Sequence, residues 1–562
     1  MTDIHASTRS TPAAGGLNPM TASLLLGLSM FATGSTGYVA ECLLATVSTY
    51  ILGAAIDQFS LIMAVMMLMM GLAAFLQKYV GERALIEKFV AIEVLLALLI
   101  AFAPIGTYWA FGHLPEHFGL VQFGFILAIG LLIGLEIPLI VRINETYAPN
   151  LKSNIATVIG ADYIGAFLGA LVWINLRTAA PLTELSYYLG AVNLLVAGLT
   201  FAYFARLMSR PRAIASALAL VVTVGALFWG LQATASWTLS IEQKLYDDPI
   251  TLRETTKFQH IVVTEREIPG HGKDVRIFLN GNLQLSSLDE RIYHENLVHP
   301  AMAVAASRAN VLILGGGDGM ALREVLAYDD VRTVTLVDLD PRMIELARSH
   351  PTLSRLNEGA FDDARVQTAL PTGMTPIGFR DMKLARNADP DNAPTVRVYH
   401  VDAERFLRAV PGRYDVIIAD LPDPNSIELA KLYSREFYRA VARQLAPGGA
   451  MVVQSTSPYH APAAFHTIGA TIEAGGWSTL AYHDNVPSFG DWGYHLAWRG
   501  SRNAEMIKRQ ARQIPDDLSY LTSEKVAANF VFGRGSTVDG QVSTLMRPIV
   551  HELYQRYGWR VE

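Results

Sequence analysis

Cysteine is almost absent: Cys42 is the only one in 562 residues. Disulfides within the chain are excluded, and so is any zinc site built from several cysteines. Cys42 lies in an apolar stretch, where it reads as a small buried hydrophobe rather than a reactive thiol. Charge is scarce too. Asp, Glu, Lys and Arg make up 17% of the chain against 51% hydrophobic residues, which excludes a disordered chain and the composition of a nucleic-acid-binding protein. The net charge of -6 offers no broad basic surface for phosphates. The first nineteen residues lack a signal peptide's basic start, short apolar core and cleavage site, so 1–19 reads as a disordered tail.

What is present is unevenly placed. Before Trp237 the chain consists of long apolar runs, near 22–46, 58–80, 88–110, 120–141, 155–176, 185–205 and 213–235. Each has about the 20 mostly apolar residues that a spanning helix needs. The expectation is an all-α membrane domain of about seven helices over 20–236, with the lipid bilayer as its partner. Lys78 and Arg83, then Arg142 and Lys152, then Arg206, Arg210 and Arg212 mark alternate loops as cytoplasmic. That pattern starts the chain inside and delivers everything after a seventh span outside. Glu41, Glu136 and Asp162 fall inside apolar runs, where a charge is costly. They read first as groups paired between helices and second as a path for cations. Gly160, Gly165 and Gly169 read as points of close helix packing.

After Trp237 the composition is that of a soluble protein. A small β-strand domain is expected over 237–290, from the β-branched "QHIVVTE" and from "VRIFLNGNLQL", whose Asn280-Gly281 is a hairpin signal. "DERIYHENLVHP" reads as a helix. Apolar strands then alternate with helices: "VLIL", "VTLVDLDP", "VRVYHVDA", "YDVIIADLPDP" and "GGAMVVQSTSP". This is the pattern of an α/β Rossmann-like fold of the methyltransferase type, a doubly wound parallel sheet over 291–500. A Pro-, Gly- and Asp-rich stretch near 366–395 reads as a surface insertion, and 501–562 as an ordered C-terminal appendix without evident function.

Ligands of such sheets bind beyond the carboxyl ends of the strands, and the distinctive acids are all there. Gly315-Gly316-Gly317-Asp318-Gly319 turns from a strand into a helix, and its glycines admit a nucleoside closely. Asp318 within that turn would repel a pyrophosphate but attract an amine or sulfonium. Asp338 ends the next strand about twenty residues on, where an acid chelates ribose hydroxyls. Asp402-Ala403 ends the third strand, where the adenine is expected, although Asp402 also suits a helix N-cap. Asp420-Leu421-Pro422-Asp423-Pro424 closes the fourth. Asp318, Asp420 and Asp423 together make a cluster fit for a polycation. No metal-ligand set stands out.

The ordered set "FQH", "DERIYHE", "GGGDG", "VDLD", "VDA", "DLPDP" and "QSTSP" resembles the spermidine synthases, the polyamine aminopropyltransferases, over about 250 residues, in their membrane-fused bacterial form. The resemblance implies transfer of the aminopropyl group of decarboxylated S-adenosylmethionine, a co-substrate rather than a cofactor, to putrescine, with spermidine and methylthioadenosine as products. It implies Gln259, Asp338, Asp402 and Ala403 around the donor nucleoside and Asp318 at the aminopropyl amine. Tyr293, His294 and Asp423 would position the acceptor amine, and Asp420 would take its proton. The departures are on the acceptor side: Phe258 for a tyrosine, Asn425-Ser426-Ile427 for Gly-Pro-Ala, Thr456 for an acid, and Asn485-Val486-Pro487 for Thr-Tyr-Pro. A different acceptor amine is therefore the second reading. A methyltransferase, which Asp318 disfavours, and a polyamine-binding transporter or sensor are further ones. The expected partners are the small-molecule amine and nucleoside and the bilayer, with no nucleic acid and with a homodimer left open. Because the implied substrates are cytosolic, the catalytic domain is expected at the cytoplasmic face of the inner membrane, against the pattern of the basic loops.

Overall fold

A computed structural model describes residues 17–558 apart from 53–54, 149, 177–179, 271, 363–395 and 537. The tail up to residue 16 and the insertion read over 366–395 lie outside the described residues. The chain forms two compact units, Met1–Asp247 and Asp248–Glu562.

The first unit is helical: α1 (Pro19–Leu52), α2 (Ala55–Leu76), α3 (Leu85–His113), α4 (Phe118–Asn144), α5 (Leu151–Leu176), α6 (Leu182–Phe204) and α7 (Arg210–Glu242). Six of these regions, those of α2 to α7, are long and apolar enough to cross a membrane. The six do not include α1, whose apolar content is diluted by the small polar residues of "SMFATGSTG". Those residues serve packing. A side chain on Gly165 would collide with the Phe31 backbone, and one on Gly169 would begin 2.6 Å from the Ser35 carbonyl oxygen, so α1 and α5 touch backbone to backbone. Gly160, expected in the same role, faces open space. Of the acids in the apolar runs, Glu136 is fully buried, and so is Glu93 of α3, which the sequence pattern did not single out. Helix α7 continues to Glu242, past the boundary expected at 236.

The second unit opens with an antiparallel sheet of β1 (Ile250–Thr255), β2 (His260–Ile268), β3 (Gly272–Leu279) and β4 (Asn282–Ser286). The turn between β3 and β4 is Asn280-Gly281, with φ of 51° and 80°, the left-handed pair of a tight hairpin. Helix α8 (Glu290–Val304) leads into a seven-stranded sheet. In chain order it is built from β5 (Asn310–Gly315), α9 (Met320–Leu326), β6 (Thr333–Asp338), α10 (Pro341–Ser349), α11 (Pro351–Leu356), β7 (Val396–His400), α12 (Ala403–Ala409), β8 (Tyr414–Asp420), α13 (Ile427–Ala430), α14 (Arg435–Ala442), β9 (Leu445–Gln454), α15 (Pro462–Ala474), β10 (Ser478–Val486) and β11 (Gly490–Trp498).

The spatial order is β10-β11-β9-β8-β5-β6-β7, with β5 to β9 parallel and the β10–β11 hairpin antiparallel. Helices cover both faces, so the central strands are apolar throughout; Val311 to Leu314 are wholly buried. The order reverses between β5 and β8, which opens a crevice beyond their carboxyl ends. There Gly315 pairs with Asp420.

The residues after 500 are part of this unit. They include α16 (Ala504–Ala511), α17 (Ser523–Asn529) and α18 (Ile549–Tyr557). Buried Glu295 of α8 accepts backbone N–H bonds from Ser519, Tyr520 and Leu521 at 3.0, 3.0 and 2.7 Å. Lys525 reaches Asp484 at 2.5 Å, and α18 packs on α15.

Candidate active site

The glycine turn exists because neighbouring groups leave no room for side chains. Gly315 and Gly316 have φ of 86° and 68°, a region costly for other residues. A Cβ on Gly317 would begin 2.6 Å from the Asp338 carboxylate, whose oxygens instead accept from the N–H groups of Gly317 at 3.0 Å and Asp340 at 2.8 Å. Burial pushes the Asp338 carboxyl up to about 7, against the pull of those two N–H groups. Asp318 stands at the mouth of α9 and accepts from the Met320 N–H at 2.9 Å.

Asp420 is the centre of the cluster. Its Oδ1 accepts from the Tyr293 hydroxyl at 2.7 Å. A ligand atom each from His294, Asp318 and Asp420 lies within 4.8 Å of the others. Burial raises the Asp420 carboxyl to about 6, Asp318 adds to the rise, and His294 and the tyrosine hydroxyl oppose it. The Tyr293 phenol is pushed well up by burial and by the Asp420 charge, so it remains a donor. Burial works against a charged His294. It is outweighed by the hydrogen bond to Glu290 and by the charges of Asp318, Glu290 and Asp420, which bring the imidazole up to about 9. His294 Nδ1 lies 2.8 Å from the Glu290 carbonyl and 3.1 Å from its carboxylate. Glu290 in turn takes a bidentate bond from Arg323, at 2.9 and 3.0 Å, and Arg323 also holds Glu324, which meets His299 at 3.0 Å. This buried chain fixes α8 against α9, and with it the rings of Tyr293 and His294.

Asp423 is satisfied by neutral donors. Its Oδ2 accepts from Thr456 Oγ1 and Tyr554 Oη, both at 3.0 Å, and its Oδ1 from Gln454 Nε2 at 3.3 Å. Burial lifts this carboxyl to about 6 against those bonds. Thr456 has φ of 60°, unusual for a β-branched residue, which costs about 1–3 kcal/mol and aims its hydroxyl at Asp423. Phe489, Trp492 and Tyr494 pack around Tyr293 with ring centroids 5.9, 6.4 and 5.8 Å away.

The structure thus brings Asp318, Asp338, Asp420, Tyr293 and His294 to one crevice, with Asp423 three residues beyond Asp420. Asp402 and Ala403 lie one strand further, past the His400 that pairs with Asp338. Asp402 caps α12 by accepting from the Arg405 N–H at 3.0 Å, and it pairs with Lys431 at 2.6 Å. Asp402 thus caps α12 at the strand end where the adenine is expected. Gln259 precedes β2, half-buried, and its backbone bonds to Thr256, whose hydroxyl reaches Asp340 at 2.7 Å.

Residues 290–378 and 379–509 match the sequence model of the spermine/spermidine synthase domain. Over 545 residues the chain is 37% identical to polyamine aminopropyltransferase 1 of Streptomyces coelicolor, covering 96% of this chain and 95% of that protein. The chain belongs to the polyamine aminopropyltransferase family. The polyamine aminopropyltransferase of Oceanobacillus iheyensis is 35% identical over 540 residues, covering 92% of this chain and 94% of its own. A crystal structure of spermidine synthase with the transition-state analogue AdoDATO is similar at 26% identity and a TM-score of 0.41, covering 50% of this chain and 85% of that one. The family resemblance and the enzyme class expected from the motifs are borne out by the matching domain and these two relatives, and the Rossmann-like fold by the sheet order described above.

In this aminopropyltransferase, sequence reasoning missed Glu290, Gln454 and Tyr554. Glu290 and Gln454 sit inside quoted motifs, "DERIYHE" and "QSTSP", so a signal was present. Tyr554 had none, because only folding brings it to Asp423.

Proposed function

We propose that this aminopropyltransferase moves the aminopropyl group of decarboxylated S-adenosylmethionine to putrescine, forming spermidine and methylthioadenosine. The observation that carries the reading is the Tyr293–Asp420 hydrogen bond of 2.7 Å, set beside Asp318 and His294 at the switch point of the sheet. In the proposed step the acceptor nitrogen attacks the carbon next to the sulfonium. A C–N bond forms, the C–S bond breaks with its electron pair going to sulfur, and the nitrogen's proton passes to Asp420.

The obstacle is that the acceptor starts as an ammonium. With an amine pKa of about 10.4, its deprotonation at pH 7 costs about 4.6 kcal/mol. Asp420, ionised above about 6, is a base in place, and the Tyr293 hydroxyl can relay the proton to it. An imidazolium at His294 favours the neutral amine beside it. On the donor side, Asp338 suits the ribose hydroxyls, Asp318 the aminopropyl amine, and Gln259, Asp402 and Ala403 the rest of the nucleoside. The transferred carbon is activated by its own sulfonium, and the chemistry is assigned to side chains without a metal.

The test is a product assay on the full-length protein in detergent, with decarboxylated S-adenosylmethionine and putrescine. Stoichiometric methylthioadenosine and spermidine are expected. S-Adenosylhomocysteine formed from S-adenosylmethionine in its place would make the protein a methyltransferase. Thr456 where the motif has an acid, and Val486 where it has a tyrosine, favour trying other diamines beside putrescine as the second reading. We place α2 to α7 in the cell membrane, on their length and apolarity, and the catalytic unit at its cytoplasmic face, where the substrates are made. Labelling of an introduced catalytic-unit cysteine by an impermeant maleimide in intact cells would contradict that placement.

A further inference from the structure

Two carboxyl groups of the helical unit have no part in the chemistry proposed above. Glu93 of α3 is 0% exposed and Glu136 of α4 is 1% exposed. Helices α3 and α4 run antiparallel, with Gly106 against Phe125. Both acids sit eight residues in from the same end of their helices, about 12 Å along the axis. The two carboxyls face each other, and no donor reaches any of their four oxygens.

Such a pair is costly as mere packing. A bare carboxylate in an apolar interior is heavily penalised, and a neutral carboxyl still forfeits its hydrogen bonds to water. The neighbouring side chains give no relief. Thr33 of α1, beside Glu136, donates its proton to the Met30 carbonyl at 3.3 Å, and Thr36 donates to Asn193 Oδ1 at 2.5 Å. Asp162 of α5 is a third acid within electrostatic reach of Glu136, and a Cβ on Gly34, the residue after Thr33, would begin 2.6 Å from its Oδ1. Glu41 of α1 is a fourth, within reach of the Asp162 charge.

Acceptors gathered without donors suit a cation, and the full enclosure of the pair requires a small one. Ca²⁺ and Mg²⁺ demand about six to eight oxygens or a retained water shell, which leaves protons and alkali ions. Two protons neutralise the pair, and so do one proton and one alkali ion. An alkali ion can therefore enter as one proton leaves, with no net charge carried into the apolar interior. We propose that Glu93 and Glu136 form a cation-exchange site in the helical unit, at which an alkali ion competes with a proton for one carboxylate. This inference rests on placing these helices in the membrane and is independent of aminopropyl transfer.

The test is labelling of the full-length protein in detergent with dicyclohexylcarbodiimide, which adds to protonated carboxyls in apolar surroundings, read as adducts on mapped peptides. An adduct is expected at Glu93 or Glu136, and Glu41→Gln should leave it unchanged. At constant ionic strength, replacing choline chloride by NaCl or KCl should slow labelling of the pair about tenfold once the ion reaches about ten dissociation constants, as competition for one site requires. No adduct at either acid overturns the proposal, because a site that exchanges ions must open. Equal labelling rates in choline, sodium and potassium chloride overturn it as well, leaving a protonated pair that only joins helices. Protection by putrescine and by neither alkali ion would refute the small-ion assignment. Mapping the wild type needs no substitution at the pair, so a variant that fails to fold cannot obscure the result. Methylthioadenosine release from the same samples reports separately on the catalytic unit.

Discussion

Asp420→Asn isolates the proton acceptor with little change of shape. The amide oxygen can still accept from Tyr293, now 2.7 Å from Oδ1, and the backbone pairing of Gly315 with Asp420 is untouched. Only the charge and the basicity go. If Asp420 takes the ammonium proton, its loss returns the cost of deprotonation, about 4.6 kcal/mol at pH 7 for an amine of pKa about 10.4, to bulk solvent. General-base catalysis is worth about 10²- to 10⁴-fold, and 4.6 kcal/mol corresponds to about 10³-fold, so the two routes to the magnitude agree. Turnover at saturating donor and acceptor, read as methylthioadenosine released, should therefore drop about a thousandfold, with donor affinity within about twofold. The pH profile is the sharper readout. Asp420 is protonated below about 6 and ionised above, so wild-type turnover should climb as pH rises through about 6. In the variant that limb should vanish. Turnover within about tenfold of wild type, or an unchanged acid limb, would refute the reasoning.

Three further outcomes follow from the same geometry. Gly317→Ala should abolish donor binding at near-normal stability, since its methyl group would enter the space of the Asp338 carboxylate at 2.6 Å; calorimetry with methylthioadenosine checks this. His294 has a folded pKa of about 9 against an ordinary value of 6.5, so its stabilising contribution is complete below 6.5 and lost as pH rises through 9. In the wild type this is worth on the order of 3 kcal/mol; His294→Gln should flatten the fall in thermal midpoint between pH 6.5 and 9, and an unchanged slope would contradict the assignment. Glu295→Ala leaves the N–H groups of Ser519, Tyr520 and Leu521 without their acceptor. It should cost about 3 kcal/mol or more and lower the thermal midpoint by several degrees, while a midpoint within one degree of wild type would show that the C-terminal segment is not held there.

Much of this protein was determined by its sequence alone, wherever the relevant physics is local. Apolar runs long enough to cross a bilayer, Asn-Gly between two β-branched stretches, and acids at the ends of apolar strands each follow from neighbours along the chain. Because a doubly wound sheet places all its carboxyl ends on one side, Asp318, Asp338 and Asp420 converge wherever those strands form. The small polar residues of α1, which keep it from matching the apolarity of α2 to α7, show their packing role only where Gly165 and Gly169 meet the backbone of Phe31 and Ser35. What tertiary structure decided concerns pairs far apart in the chain. Asp402 reads as a site residue with a helix cap as the lesser alternative, and only the fold shows that it also accepts from Arg405 and pairs with Lys431. Thr456 reads as a lost anchor until its backbone, turned to φ of 60°, directs its hydroxyl to Asp423. The C-terminal segment read as an appendix because no periodicity or motif records that Tyr554 meets Asp423 131 residues away. Hydrogen bonds of that separation leave no trace in local sequence, since either partner alone is an ordinary polar residue on an ordinary element.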